Sequence, residues 1–503
     1  MLKSNYITSL FHKSLIGLVM LLVFVVPCYA TEADFTPNLQ KAYSEIFKLH
    51  IQSGRELLSA ETPSNPFRVY VENYADMVEL LNSEDEAAYE KLTGEEDQRL
   101  ALIEKTDKQS PYNRFLRAEL KIHWALLKIR FGHEIKAAWN IIQANKLLEE
   151  NRKQFPNFLP NLKSIGCLHV LVGSIPENQQ WVTKFLGLKG NIQQGMKELE
   201  AASKDKTWGN EADFCRFFIQ AYILPYNDRA NAELLQALNQ HKDNLNLNYL
   251  ATAISLKTGQ TEQAAQVLRQ NPYNASYLYF PIGELYKAEI NLFKGNYPQA
   301  SAAYLAYIRK FKGKTFLKDT YYKLFLCSWL AGDEKKALEY LRRIPTAGST
   351  VAESDKAAQK FYESYAKTQT LPDKRLVKIR LTFDAGYYDE ALQEAQNLSE
   401  GSFSATKDKA DFNYRMARVY HKTAQTNKAL AYYERAISLT DQNKDSQWHF
   451  GASAALQAGY IYEDRNQKSK ARGYFEKALA YKRHEYKTSI DNKARAALTA
   501  LGV

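Results

Sequence analysis

Along the second half of the chain, small and apolar residues recur in groups that share one face of a helix, separated by short polar turns. The plainest case runs from Asn413 to Ala436. Asn413, Met416, Ala417 and Tyr420 lie at steps of three, one and three, and Ala429, Tyr433 and Ala436 at steps of four and three, spacings that place each set on one helical stripe. The pattern returns at Ala455, Ala458, Gly459 and Tyr462, then at Ala471, Phe475 and Ala478. Alanine or glycine at such positions lets two helix backbones approach, and the aromatic residue one turn later fills the groove beside the crossing. Upstream, a glycine marks the turn inside each pair: Gly259 before Ala264 and Leu268, Gly295 before Tyr297, Ala300 and Tyr304, Gly332 before Ala337 and Leu341, and Gly386 before Tyr388 and Ala391. Glycine there takes the left-handed conformation that ends a helix. With Thr423–Gln425 and Arg465–Asn466 as counterparts, the spacing predicts six hairpins between Asn244 and Ala480.

One gap interrupts the series. After Pro345-Thr346-Ala347-Gly348-Ser349-Thr350 the pattern predicts an extra helix, Ala352 to Lys367, ending before Leu371-Pro372-Asp373, because proline, glycine and serine punctuate both ends. The segment from Asp34 to Lys242 is also rich in helix formers. It shows a degenerate hairpin at Ala125, Gly132, Ala137, Ile141 and Ala144, and an apolar stretch from Ile165 to Ile175. The hairpin grammar resembles the tetratricopeptide repeat, a helix pair of about 34 residues that stacks into a superhelix. The fold class expected is therefore all-α, an α-solenoid. Residues 31–240 are expected to form a helical lobe and 241–503 a repeat array, capped by a final helix from His484 to Leu501.

A second resemblance lies further upstream. Gly166 and Leu168, Ser174-Ile175-Pro176, then Phe185-Leu186-Gly187-Leu188-Lys189-Gly190-Asn191 with Gly195 and Leu199 resemble the signature of the tetratricopeptide repeat protein 39 and inclusion-body-clearance family. It covers Ala118 to Ala202, and in that family too a glycine-rich segment precedes carboxy-terminal repeats. The resemblance implies an all-helical protein and carries over no catalytic residue. The chain departs from the pattern at its start, because the resembling proteins are intracellular.

Lys3, His12 and Lys13 precede an apolar run from Leu15 to Val26, followed by Pro27-Cys28-Tyr29-Ala30 and an acidic start at Thr31. That order predicts a secretory signal peptide, residues 1–30, cleaved after Ala30. The run is shorter than the ~20 residues of a membrane span, and Pro27 before Cys28 fits a lipoprotein signal poorly. The protein is expected in the periplasm or cell envelope, not as an integral membrane protein, with envelope association left open. Lys3 and Lys13 carry the only formal charges of the first thirty residues, so cleavage takes the net charge from +11 to +9. The basic residues are scattered, and runs such as Lys310 to Lys314 read as solvated helix ends, so no nucleic-acid partner is expected. Cys167, Cys215 and Cys327 each sit among apolar residues and read as buried thiols, with a Cys167–Cys215 disulfide as the alternative.

Motifs for catalysis fail on inspection. His133-Glu134 lacks the second histidine of a zinc-protease helix, and Lys312-Gly313-Lys314-Thr315 lacks the glycine that a phosphate loop needs at the position of Ile308. Ser453, in Gly451-Ala452-Ser453-Ala454-Ala455, lies inside a repeat helix rather than on a strand-to-helix elbow. No enzyme activity, cofactor or metal is expected. Binding remains: in such arrays the first helix of each hairpin faces a groove, which places Tyr322, Leu326, Trp329, Arg380, Phe383, Tyr414, Arg418, His421 and Tyr460 in it. Aromatics and arginine carry interface energy because they bury large areas while offering donors. The expected function is an exported scaffold for a protein or peptide. A helical-repeat binder of glycan or lipid is the alternative, and an enzyme whose residues come from separate helices stays open on sequence alone.

Overall fold

A computed structural model describes residues 35–175, 187–224, 228–443 and 447–502. The expected signal segment, residues 1–30, and the part of the glycine-rich segment from Pro176 to Leu186 lie outside the described residues. Among these residues all regular structure is helical, with no strand. The six expected hairpins are present: Leu245–Lys257 with Thr261–Arg269, Ile282–Phe293 with Tyr297–Lys310, Leu317–Leu330 with Glu334–Arg343, Lys374–Asp384 with Tyr388–Ala395, Thr406–Lys422 with Thr426–Asp441, and Phe450–Asp464 with Lys468–Ala480. The extra helix is Glu353–Thr368.

One turn joins the helices of every pair. Gly259, Gly295, Gly332 and Gly386 have positive φ, and so do Ala424 and Asn466. In each, the next N–H donates to the carbonyl five residues back, as in Gln260 to Ser255 at 2.8 Å, Gln425 to Tyr420 at 2.8 Å and Gln467 to Tyr462 at 2.8 Å. This six-to-one closure satisfies carbonyls that the helix end leaves free. Gly132 and Leu49 make the same turn in the amino-terminal half, between Pro111–Arg130 and Glu134–Gln154 and between Pro37–Phe47 and Ile51–Ser59.

The small residues do what their spacing predicts. Ala417, Ala429, Ala436, Ala455, Ala458, Ala471 and Ala478 are fully buried with Tyr433 and Phe475 in one cluster, and a Cβ on Gly459 would fall 2.4 Å from the Phe475 ring. The signature glycines are also packing devices. Helices Leu159–Gly173 and Ile192–Ala202 cross where a Cβ on Gly195 would fall 2.5 Å from the Gly166 carbonyl oxygen, and one on Gly166 would fall 2.8 Å from that of Gly195. Removing the side chains lets the two backbones touch.

The largest apolar cluster takes in residues from Phe35 to Tyr277, among them Leu245, Leu250, Ile254 and Val267 of the first hairpin, whereas Ala264 and Ala265 of that hairpin cluster with Ile290. Beyond it the core divides into smaller clusters. The array also folds back on itself. A Cβ on Gly386 would fall 1.8 Å from the Gly259 carbonyl oxygen, the Thr261 N–H donates to the Ala385 carbonyl at 3.4 Å, and the Tyr387 hydroxyl donates to Glu262 at 2.7 Å. The turns of the first and fourth hairpins therefore meet. The extra helix packs on Leu317–Leu330, and its buried Asp355 accepts from the N–H groups of Phe316 at 2.7 Å and Asp319 at 3.0 Å. It thus caps a helix other than its own. The final helix begins at Lys487, later than expected, because Tyr486 adopts a positive φ and ends the connector before it.

Candidate functional site: the inner face of the array

Most successive first helices of the array touch one another, as Leu245–Lys257 touches Ile282–Phe293 and Thr406–Lys422 touches Lys374–Asp384 and Phe450–Asp464, whereas second helices mainly contact the first helices on either side. The expected groove residues all lie on these first helices. Arg380 donates to the Tyr322 hydroxyl at 3.1 Å, and this neighbour, with Asp384 and Asp411 beyond it, holds the guanidinium above its ordinary pKa. The Arg418 guanidinium stacks 4.0 Å above the Phe383 ring and pairs with Asp384 at 3.3 Å. Phe383 itself is buried against Ala391 and Val419, so its ring is the platform and Arg418 the presented group. Tyr414 is half-buried and packs on Tyr433, His449 and Phe450.

Other expected groove residues are engaged locally. Trp329 donates to the Pro372 carbonyl at 3.1 Å and carries Lys374 4.0 Å above its ring. His421 lies 3.4 Å from the Tyr433 hydroxyl, and burial with Lys422 lowers its pKa. Tyr460 packs edge-on against Phe475. Leu326 is 1 % exposed and belongs to the core, a correction of one helical position: the inner face takes Tyr322 and Trp329 while the stripe between them points inward.

The structure adds groups outside the repeat period. Tyr486 is 61 % exposed, yet the surrounding protein raises its hydroxyl pKa, with Glu485, Arg380, Tyr322 and Tyr414 all within electrostatic reach. Its ring meets His449 edge-on at 5.1 Å. Burial, then Arg415 and Arg418, push His449 down to about 3, so its imidazole is neutral. Burial raises Glu485, whose field includes Lys407 and Lys360; Lys360 comes from the extra helix. Ring and guanidinium contacts thus link Phe383, Arg418, Tyr414, His449 and Tyr486, drawn from the fourth and fifth hairpins, the start of the sixth and the connector before the last helix. Tyr486 had no sequence signal, because it lies outside the periodic positions; its one mark is the short non-helical gap before the last helix.

Two further constellations are structural. In the segment Lys312-Gly313-Lys314-Thr315 the N–H groups of Lys314 and Thr315 donate to the Glu84 carboxylate at 3.0 and 3.1 Å, while Lys312 pairs with Asp85 and Lys314 with Glu86. The anion held by this phosphate-loop look-alike is the protein's own carboxylate. Lys163 lies 3.2 Å from Glu211 and 3.5 Å from Glu119, all three at most 1 % exposed. Ser164 donates to Glu119 at 2.5 Å and Tyr43 donates to Glu211. Burial lowers the Lys163 pKa and raises that of Glu119. Cys167 and Cys215 sit beside this network as buried free thiols in mutual contact. Sealed from solvent, the cluster has no route for a substrate.

Among the described residues no group of three or more histidine, cysteine, aspartate or glutamate side chains could hold a metal ion. None of the helices there is long and apolar enough to cross a membrane.

Residues 408–484, the last two hairpins, match the tetratricopeptide repeat family. No curated protein matches the chain in sequence. Among solved structures, the human IFIT1 dimer with m7Gppp-AAAA is similar at 14 % identity and a TM-score of 0.34, over 89 % of this chain and 94 % of that one. The APC/C hetero-tetramer Cut9–Hcn1 is similar at 12 % identity and a TM-score of 0.28, over 93 % of this chain and 97 % of that one.

Proposed function

We propose that the protein is an exported, non-catalytic scaffold that holds an extended peptide or a helix of another protein against the inner face of its array. The observation that carries this reading is the run of ring and guanidinium contacts from the exposed Tyr486 through His449, Tyr414 and Arg418 to Phe383. Rigid aromatic and guanidinium groups on helices lose little entropy when they bind, and they offer both apolar area and donors. Arg415 pairs with Asp411 and Arg418 with Asp384, so the face alternates charge and suits a polypeptide better than a polyanion. Export rests on the order of Lys3 to Ala30. The likeness of the glycine segment to the tetratricopeptide repeat protein 39 family accords with a scaffold.

The test is affinity capture by the mature chain, Thr31 to Val503, from envelope extract of its own cells, beside a Tyr486→Ser, Arg418→Ala variant with an unchanged helical melting curve. A protein captured by the parent and lost with the variant supports the groove. The same partner on both places binding elsewhere, and RNA or glycan in place of protein overturns the reading. Fractionation with amino-terminal sequencing tests export, with Thr31 as the expected first residue.

A further inference from the structure

Where the amino-terminal helices meet the first two hairpins, the structure encloses a cavity of about 120 Å³. Its walls come from the end of helix Pro66–Ser83, from Gly209–Tyr222, from Leu245–Lys257, and from the start of Ile282–Phe293 and the segment after Tyr297–Lys310. Phe218, Leu250, Ala253, Phe280 and Phe311 make it predominantly apolar. Tyr222, 36 % exposed, marks its mouth.

Two amides on this wall each leave one atom unpaired. Asn82 and Asn246 are 7 % and 9 % exposed, and neither Oδ1 of Asn82 nor Nδ2 of Asn246 has a hydrogen-bond partner. The orientation of Asn82 is set by its other end, since Nδ2 donates to the Tyr279 carbonyl at 2.8 Å. A buried polar atom left unpaired costs about 1–3 kcal/mol, so an apolar wall with one orphan acceptor, Asn82 Oδ1, and two orphan donors, Asn246 Nδ2 and Arg130 Nε, is built for a guest that supplies their complements. We infer that this seam is a binding site for a small neutral molecule, one ring or a short alkyl chain, bearing a single group that both donates and accepts, of the primary-amide type.

Size and charge select that class. A dry apolar cavity of ~150 Å³ takes a benzene-sized guest. The charged groups on the wall, Glu84 and Arg130, neutralise each other at 2.7 Å, and burial pushes the Tyr222 and Tyr249 hydroxyls up to about 12, so both stay protonated. An ionised guest would lose its hydration with no counter-charge to replace it. This inference is independent of the proposed function, since none of Phe383, Tyr414, Arg418, His449 and Tyr486 lines the cavity.

The experiment titrates the full mature chain with benzamide, hexanamide and benzoate by calorimetry. Saturable one-to-one binding of either amide, with benzoate at least ten-fold weaker, is expected. Ala253→Leu, which fills the cavity, should abolish binding, and Asn246→Leu should weaken it about ten-fold, while Tyr486→Ser leaves it unchanged. If Ala253→Leu melts early, Asn246→Leu decides. No saturable binding of either amide overturns the site, leaving the orphan amides to water, and so does binding that neither cavity variant alters.

Discussion

The amino-terminal lobe and the repeat array share one hairpin and one turn but keep their cores differently. In the lobe a continuous apolar cluster surrounds ionisable groups withdrawn from water: the Lys163 network, and a second one in which Asn73 accepts from Trp124 at 2.9 Å and Arg99 at 3.1 Å while Arg99 pairs with Asp76 at 2.6 Å. In the array the core is divided among several clusters, the two largest spanning Leu285 to Leu381 and Ala417 to Ala497, the second of them alanine-rich. The first design couples distant segments, because a buried charge is tolerable only while its partners are in place. The second adds stability hairpin by hairpin. The contrast teaches that one motif can serve as a cooperative body or as a modular ruler, according to what is placed between the helices.

The largest effect should come from Lys163→Met, which leaves Glu119 and Glu211 buried without a cation. A loss of about 3–5 kcal/mol is expected in denaturant melts, with the lobe opening as a unit; a change below about 1 kcal/mol would show that the network does not couple it. Phe475→Ala should cost about 3–5 kcal/mol locally. Hydrogen exchange should then rise in Phe450–Ala500 and stay unchanged in Pro37–Tyr222, and a rise in both would remove the distinction.

Protonation sharpens the comparison. Burial pushes His123 in the lobe and His449 in the array down to about 3. The folded state binds fewer protons than the unfolded one from pH 6.5 to 3, so the stability each neutral ring contributes is present above pH 6.5 and lost as pH falls towards 3. The slope is about 1.4 kcal/mol per pH unit and histidine. Exchange measured against pH should show lobe protection flattening with His123→Gln and array protection flattening with His449→Gln. The smallest effect is a gain: Ala424 holds a positive φ, so Ala424→Gly should stabilise the fifth hairpin by about 1 kcal/mol, seen as slower exchange there alone.

The array was legible in the sequence because its packing rule is local. Small residues at steps of three and four and a turn marker at each pair suffice, and even Ala424 and Asn466 could be placed by register without being glycine. The lobe's networks were not legible, because Glu119, Lys163 and Glu211 are separated by more than forty residues and read as surface charges until the helices are assembled. Tyr322, Arg380 and Tyr414 could be named from the period; Tyr486, Lys360 and Glu485 could not, since they enter from the connector and the extra helix. The cavity was invisible for the same reason, with walls drawn from helices on both sides of residue 240.

The meeting of Gly259 with Gly386 constrains how this architecture can change over generations. Stacked arrays ordinarily lengthen or shorten by copying or dropping a hairpin, since each unit touches only its neighbours. Here a hairpin gained or lost between those two glycines would separate backbones packed closely enough to exclude a methyl group. The span from the first turn to the fourth is closed to that kind of editing, and growth is confined to hairpins beyond Ala395.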